Sequence, residues 1–487
     1  MIESINYGKL KAIEAIVMCD KQYDVDEYEE KVGLSANAFK SMKNLRLLDI
    51  TGKFTSCEPT CLPGDLRWLC WRHYPFSSLP VAQMSKLVGL EVVRGAIKQF
   101  WKGQKIMPNL KFVKLQQLDR LTTFPDVSRA PNIERLILSG CTNLVEVHES
   151  LGSHKRLVKL DMIGCERLKY LPSRIEMESL KVLRLTKCSS LERFPDVSTR
   201  MGFPEIRDLI TRQQLQIYHS LRQIENKDFP KNLRAFCSLE NLDLSGNKFV
   251  RLPASISHLF RLRCLKLNEC QRLQILHALP SRIQVLEANN CCSLENIEDL
   301  SEEYEWLYDI SLINCQKLLK EEENERYIDK MLQQSLIKRC AVVNRQLRMA
   351  IPGNKIPRWF KEVQTGYKIA LMIPPKCNTQ IIGFAICGFF PGEWQEKHYH
   401  PCITTTFKKD GKSIHQKEVD CTNGSATAEN GNTWISYRTF SSFRPFQCED
   451  LSGGTLVISL ALKSGAKAVR SAARLMYKED VERIKKN

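Results

Sequence analysis

The chain repeats itself. The pattern L-x-x-L-x-L-x-x-(N/C)-x-L begins most clearly at Leu110, Ile133, Leu157, Leu180, Leu239, Leu262 and Ile283, and more loosely at Leu45, Leu66, Leu87 and Leu307. Successive starts lie 21 to 24 residues apart, except for one step of 59 between Leu180 and Leu239. A unit this short cannot bury an apolar face alone. It must stack on its neighbours, so the period dictates a solenoid.

Within each copy the apolar residues alternate, as in a strand with one buried face. In the copy at Leu157, Leu160 and Met162 point into the core, while Lys159, Asp161 and Ile163 point away from it. A Pro after the strand, as in Leu168–Pro172, stops the extended run and starts an irregular convex segment. Little length remains for a long convex helix. The expected fold class is therefore an α/β leucine-rich-repeat solenoid, strongly curved, with a parallel concave sheet.

One phase of the repeat is occupied by Cys141, Cys165, Cys188, Asn247, Cys270, Cys291 and Cys315. The chain turns sharply there, and the turn needs a small, buriable side chain with a donor for loop carbonyls. Successive members lie one repeat apart and point in parallel, so they do not converge on a tetrahedral metal site. The total of 19 cysteines is odd. The first residues lack a basic stretch followed by an apolar one, and no apolar run nears the ~18 residues that span a bilayer. The expectation is a protein of a reducing compartment, cytoplasmic or nuclear, with free thiols, no signal peptide and no membrane span.

The remaining organisation follows from where the period fails. Residues 1–40 are expected to form an N-terminal cap or junction, and 41–319 the repeats, interrupted at about 200–237 by an inserted helical excursion. Residues 320–345 read as an amphipathic helix, with acids at its start and Ile328, Met331, Leu332 and Leu336 on one face, capping the last repeat. From 346 to 481, β-branched and polar residues alternate between Pro and Gly punctuation, which predicts an all-β sandwich of jelly-roll or Ig-like type. Residues 482–487 form a basic tail.

Little in the sequence points to catalysis. The cluster His398–Cys402, with His415, Cys421 and Cys448 downstream, fits no common zinc spacing. The one Gly-Lys-Ser, Gly411–Ser413, has Thr406 where a phosphate-binding loop needs Gly. No G-x-S-x-G and no H-E-x-x-H occurs. The chain is expected not to be an enzyme, and to need no cofactor, metal or small-molecule substrate.

The segments Leu62–Pro80, Phe124–Gly152 and Gly164–Val197 resemble the repeats of plant intracellular immune receptors of the TIR–nucleotide-binding–LRR class. Lys11–Ile50 resembles the junction where the nucleotide-binding module of that family ends. "PGNKIPRWF" (Pro352–Phe360), the later "GFAIC" and the ending Ala473–Asp480 resemble the family's post-LRR domain, the C-JID. The P-loop and TIR domain of that family are not found, so the chain is expected to be the recognition half of such a receptor.

The resemblance implies that the concave face and the post-LRR domain contact pathogen effectors. Its motif positions here are Pro352, Gly353, Ile356, Pro357, Trp359 and Phe360, for which turn formation and aromatic packing are the competing reading. On the concave face the outward residues include Lys114, Gln116, Arg135, Lys159, Asp161, Arg184, Lys266 and Asn268. They are expected to form a broad mixed-charge surface with a basic bias, suited to a protein partner: a pathogen effector or a full-length receptor. Two alternatives stay open. Lys+Arg 72 against Asp+Glu 55 gives a net charge of +17, which motivates nucleic-acid binding, although no recognition motif accompanies it. The other is a truncated receptor without function.

Overall fold

A computed structural model describes residues 13–19, 36–51, 58–191, 236–319 and 347–480, apart from short stretches within them. The chain divides into two compact units: Met1–Asn247 with Pro253–Leu262, and Lys248–Leu252 with Arg263–Asn487. The helical excursion expected at 200–237, except for its last two residues, the helix expected at 320–345 and the basic tail lie outside the described residues.

In the first unit nine strands pair in parallel, one per repeat: β1 (Ala15–Cys19), β2 (Leu47–Thr51), β3 (Trp68–Arg72), β4 (Gly89–Val93), β5 (Phe112–Gln116), β6 (Arg135–Ile137), β7 (Lys159–Asp161), β8 (Val182–Arg184) and β9 (Asn241–Asp243). Registers run straight across. Leu48, Leu69, Leu90, Val113, Leu136, Leu160, Leu183 and Leu242 therefore make one buried row, none more than 3% exposed. Each such side chain contributes about 1.5–3 kcal/mol by leaving water. The 59-residue step leaves no gap in this row, because Leu183 pairs directly with Leu242. The sheet also starts earlier than the repeat template does, since β1 pairs along its whole length with β2 inside the expected cap. The return connections hold short pieces, such as the 3-10 turn Glu149–Ser153 and the paired two-residue strands Thr123–Phe124 and Glu146–Val147.

Among the described residues, the corner after each strand from β3 to β12 has a fixed construction. The residue before the ladder position is left-handed throughout: His73, Arg94, Gln117, Gly140, Gly164, Lys187, Gly246, Glu269, Asn290 and Asn314 all have φ between 54 and 74°. A left-handed residue swings the chain out of the strand and aims the next side chain inward. Where that next residue is Cys or Asn, its side chain donates to a carbonyl near the end of the preceding repeat's strand. Cys141 Sγ lies 3.3 Å from Leu115 O, Cys165 Sγ 3.2 Å from Leu138 O, and Cys188 Sγ 3.3 Å from Met162 O. Asn247 Nδ2 reaches Leu185 O at 2.9 Å and its own Leu244 O at 2.7 Å. Cys291 and Cys315 donate to Leu267 O and Ala288 O at 3.1 and 2.9 Å. Cys270 occupies the same slot, fully buried. In the earlier repeats the slot holds Tyr74, Gly95 and Leu118, and Tyr74 turns its hydroxyl to Ser78 O at 2.8 Å.

The second unit holds three more repeat strands, β10 (Cys264–Lys266), β11 (Val285–Glu287) and β12 (Asp309–Ser311), paired in parallel. The sheet does not stop at β12. Strand β13 (Leu347–Pro352) pairs with it in parallel, Ile310 opposite Met349. Eight strands complete the β-sandwich: β14 (Val363–Thr365), β15 (Lys368–Met372), β16 (Ile381–Phe390), β17 (Cys402–Lys409), β18 (Lys412–Val419), β19 (Asn432–Thr439), β20 (Thr455–Ala461) and β21 (Arg470–Tyr477). One sheet runs β13-β19-β16-β21-β14 with antiparallel pairing, and the other runs β15-β20-β17-β18. Repeats and sandwich thus share one sheet. Ile313 and Ala350 enter the sandwich core beside Phe384, Phe390, Trp434 and Ile458.

Candidate binding face

The face of the sheet turned away from the repeat core carries side chains from every strand. In the first unit its charges are organised around carboxylates that are partly or wholly buried. Arg72 reaches Asp49 at 3.2 Å and Glu91 at 4.0 Å, while Lys114 Nζ donates to Glu91 Oε1 at 2.8 Å. Asp161, with 5% of its side chain exposed, takes Lys159 at 3.5 Å, Arg184 at 3.4 Å and the Ser139 hydroxyl at 2.9 Å. Like neighbours are avoided: the register places Asp49, Cys70, Glu91, Lys114, Ile137, Asp161 and Arg184 side by side, so acids face bases or neutral residues. Of the cations expected on this face, Lys114, Lys159 and Arg184 are therefore neutralised locally. Arg135 is exposed and makes no ion pair among the described residues. Gln116, at the opposite end of β5, is half-buried.

An aromatic slab, not anticipated from the sequence, occupies the strand entrances. Trp68 and Phe112 stack with ring centroids 5.6 Å apart and planes within 11°, although a whole strand, β4, lies between theirs. Gly89, on the strand between, makes this contact feasible: a Cβ there would fall inside the Trp68 ring. Both rings remain half-buried. The signal was present as a Gly at an outward strand position with aromatics one repeat to either side.

In the second unit Lys266 pairs with Glu287 at 2.8 Å, and Asn268 Nδ2 donates to the same carboxylate at 3.0 Å. Beyond them the face closes, because Ser311, Ile313 and Ala350 are fully buried, the last two within the sandwich core. The post-repeat motif is tied into the sandwich. Pro352 ends β13. Gly353, at φ 87°, donates its N–H to Gly431 O and accepts the Thr433 hydroxyl at 2.9 Å. Ile356 is half-buried and Pro357 buried. Trp359 stacks on buried Phe360 at 4.2 Å, and Arg474 packs over the Trp359 ring while pairing with Asp480 at 2.5 Å. The two sequence motifs thus meet, joined through Arg474.

The ladder thiols are chemically quiet. Burial pushes Cys141 and Cys188 up to about 12 and drives Cys165 in the same direction. A neutral thiol is a poor nucleophile and metal ligand. No group of His, Cys, Asp or Glu suited to a metal occurs among the described residues, and no helix there is long and apolar enough to cross a membrane. His398, Cys421 and Cys448 lie outside the described residues.

Residues 106–314 match the family model of RPS4B-like disease resistance proteins, leucine-rich repeats, and residues 351–482 match the C-JID domain. The chain belongs with the repeat and C-JID regions of plant disease resistance proteins. It is 31% identical over 265 residues to TMV resistance protein N of Nicotiana glutinosa, covering 54% of this chain and 22% of that protein. Disease resistance protein LAZ5 of Arabidopsis thaliana is 26% identical over 552 residues, covering 93% of this chain and 46% of LAZ5. For RML1A of the same plant the identity is 30%, covering 70% of this chain and 34% of RML1A. The chain spans less than half the length of each of these relatives. The C-JID match begins at Ile351, inside the strand that extends the repeat sheet.

Proposed function

We propose that this chain is the ligand-recognition part of a plant immune receptor, binding a pathogen effector protein from inside the plant cell, in cytoplasm or nucleus. The observation that carries this reading is the open sheet face of the first unit. Its side chains are held by neighbouring strands and tied down by ion pairs, so little rotamer entropy is left to lose on binding. Together with the repeat and C-JID matches, that favours a protein partner over a small molecule, for which a deep apolar pocket would be expected. The reading assigns no catalytic step to this chain. Signalling would fall to nucleotide-binding and TIR modules of the kind its relatives' class carries.

The test is direct binding of the purified full chain to individually purified secreted pathogen proteins, measured by surface plasmon resonance at physiological salt. Saturable binding of one such protein, unaffected by nuclease, is the expected result. The competing reading rests on the charge of +17. It would be favoured if the chain ignored every protein but bound mixed-sequence oligonucleotides with an affinity that collapsed between 50 and 200 mM salt, roughly a thousandfold for about six phosphate contacts.

A further inference from the structure

The aromatic slab differs from the rest of the open face in the first unit. Elsewhere the cations of the strands sit against acids, as Arg72 does against Asp49 and Lys114 against Glu91. Around the slab the acids are already engaged, Glu134 by Lys111 and Glu91 by Lys114, while two cations are not. Arg67, at the entrance of β3, and Arg135, which follows Phe112 in register on β6, are both exposed, and neither makes an ion pair among the described residues. Other charged residues one position before the strand starts are paired, as Lys111 is with Glu134 and Lys181 with Glu240. The Trp68 indole N–H has no hydrogen-bond partner among the described residues. Gly89 is the residue that lets the plane form.

We propose that Trp68, Gly89 and Phe112, with Arg67 and Arg135 beside them, are the docking site for an acidic, proline-containing extended segment of the partner protein. This rests on the reading of the face as a protein-recognition surface. Two stacked rings give a flat apolar plane on which a pyrrolidine ring lies with little entropy loss, because an extended proline segment is already rigid. The indole N–H supplies a donor for a carbonyl of that segment, which is short of internal hydrogen bonds. The two arginines, which no carboxylate engages among the described residues, supply charge complementarity and select carboxylates over amines.

The experiment uses the full chain and three fluorescein-labelled peptides: alternating Glu and Pro, the same with Lys for Glu, and the same with Ser for Pro. Anisotropy is read for wild type, Gly89→Ala, Arg135→Glu and, as a control for net charge, Lys317→Glu in the second unit. The Glu–Pro peptide is expected to bind wild type about tenfold more tightly than either other peptide. Gly89→Ala and Arg135→Glu should each weaken it about tenfold, and Lys317→Glu less than twofold. Arg135→Glu is a substitution of an exposed residue and carries the test alone if Gly89→Ala does not fold. The inference is overturned if the Glu–Pro peptide binds no better than the Lys–Pro peptide, or if Arg135→Glu leaves its affinity unchanged. The general reading has a separate fate: a pathogen protein held equally well by wild type and both slab variants leaves that reading standing and removes this one.

Discussion

Two corner glycines with nearly the same backbone make different demands on space, and this can be measured. Gly164 (φ 73°) and Gly246 (φ 70°) occupy the same phase of the repeat. A Cβ on Gly164 would meet only Gly140 backbone atoms, at 3.6 Å or more, which is ordinary contact. A Cβ on Gly246 would lie 2.7 Å from Lys187 Cγ. Gly164→Ala therefore pays the left-handed penalty alone, ~1–2 kcal/mol, partly offset by the lower chain entropy of Ala when unfolded, for a net loss of about 1 kcal/mol. Gly246→Ala adds the displacement of the Lys187 stem from its rotamer, a further ~1 kcal/mol, for about 2 kcal/mol in all. Lys187→Ala deletes the offending Cγ, so the Gly246→Ala step measured in that background should fall back to about 1 kcal/mol, a coupling of about 1 kcal/mol. Urea denaturation of the four proteins and Gly164→Ala, followed by far-UV circular dichroism, reads all these values. Equal losses for the two glycine variants, or a Gly246→Ala penalty that persists without the lysine, would show that the corner does not work this way.

Three more outcomes are expected. Below pH 9 the ladder thiols are neutral in folded and unfolded chains alike; above it the unfolded thiols ionise from their ordinary 9.0 while folded Cys141 and Cys188 hold their protons to about 12. The folded state then binds more protons, so stability falls with rising pH through this window, by up to ~1.4 kcal/mol per thiol per pH unit. Replacing Cys141, Cys165 and Cys188 by Ala should flatten the pH dependence of the urea midpoint, and an unchanged slope would refute the assignment. Asp161→Ala leaves Lys159, Arg184 and Ser139 facing a lost carboxylate and should cost about 3 kcal/mol by urea denaturation. Asn432→Ala removes the buried acceptor of the Asn314 N–H at 3.2 Å, and a loss of about 1–3 kcal/mol in the sandwich-containing unit should appear in hydrogen exchange at Asn314.

The repeat sheet was legible because its cause is local. A period of 21–24 residues fixes which residues turn inward, and a corner that needs a small donor leaves Cys or Asn there. Corners built on Tyr74, Gly95 and Leu118 escaped notice because those residues fill the slot without resembling it. Strand Ala15–Cys19 went unread although Ile13, Ile16 and Met18 keep the template spacing; they are not leucines, and no corner residue follows. The charged face reads differently once the register is known. Lys114, Lys159, Arg184 and Lys266 look like a basic surface as single letters, but their acids stand on adjacent strands, 21 or 23 residues away, except Asp161, which shares a strand with Lys159. The slab was invisible for the same reason: it needs Trp68, Gly89 and Phe112 to be brought abreast, and only pairing does that.

Because Leu347–Pro352 hydrogen-bonds to the last repeat strand on one side and to Asn432–Thr439 on the other, no hinge can exist at that seam without tearing a row of backbone bonds. A tug on the sandwich is felt by the final coils as a tug on their own sheet. Swapping the C-terminal domain between relatives is accordingly surgery through a continuous fabric, and a graft will take only where the incoming strand can knit to both edges.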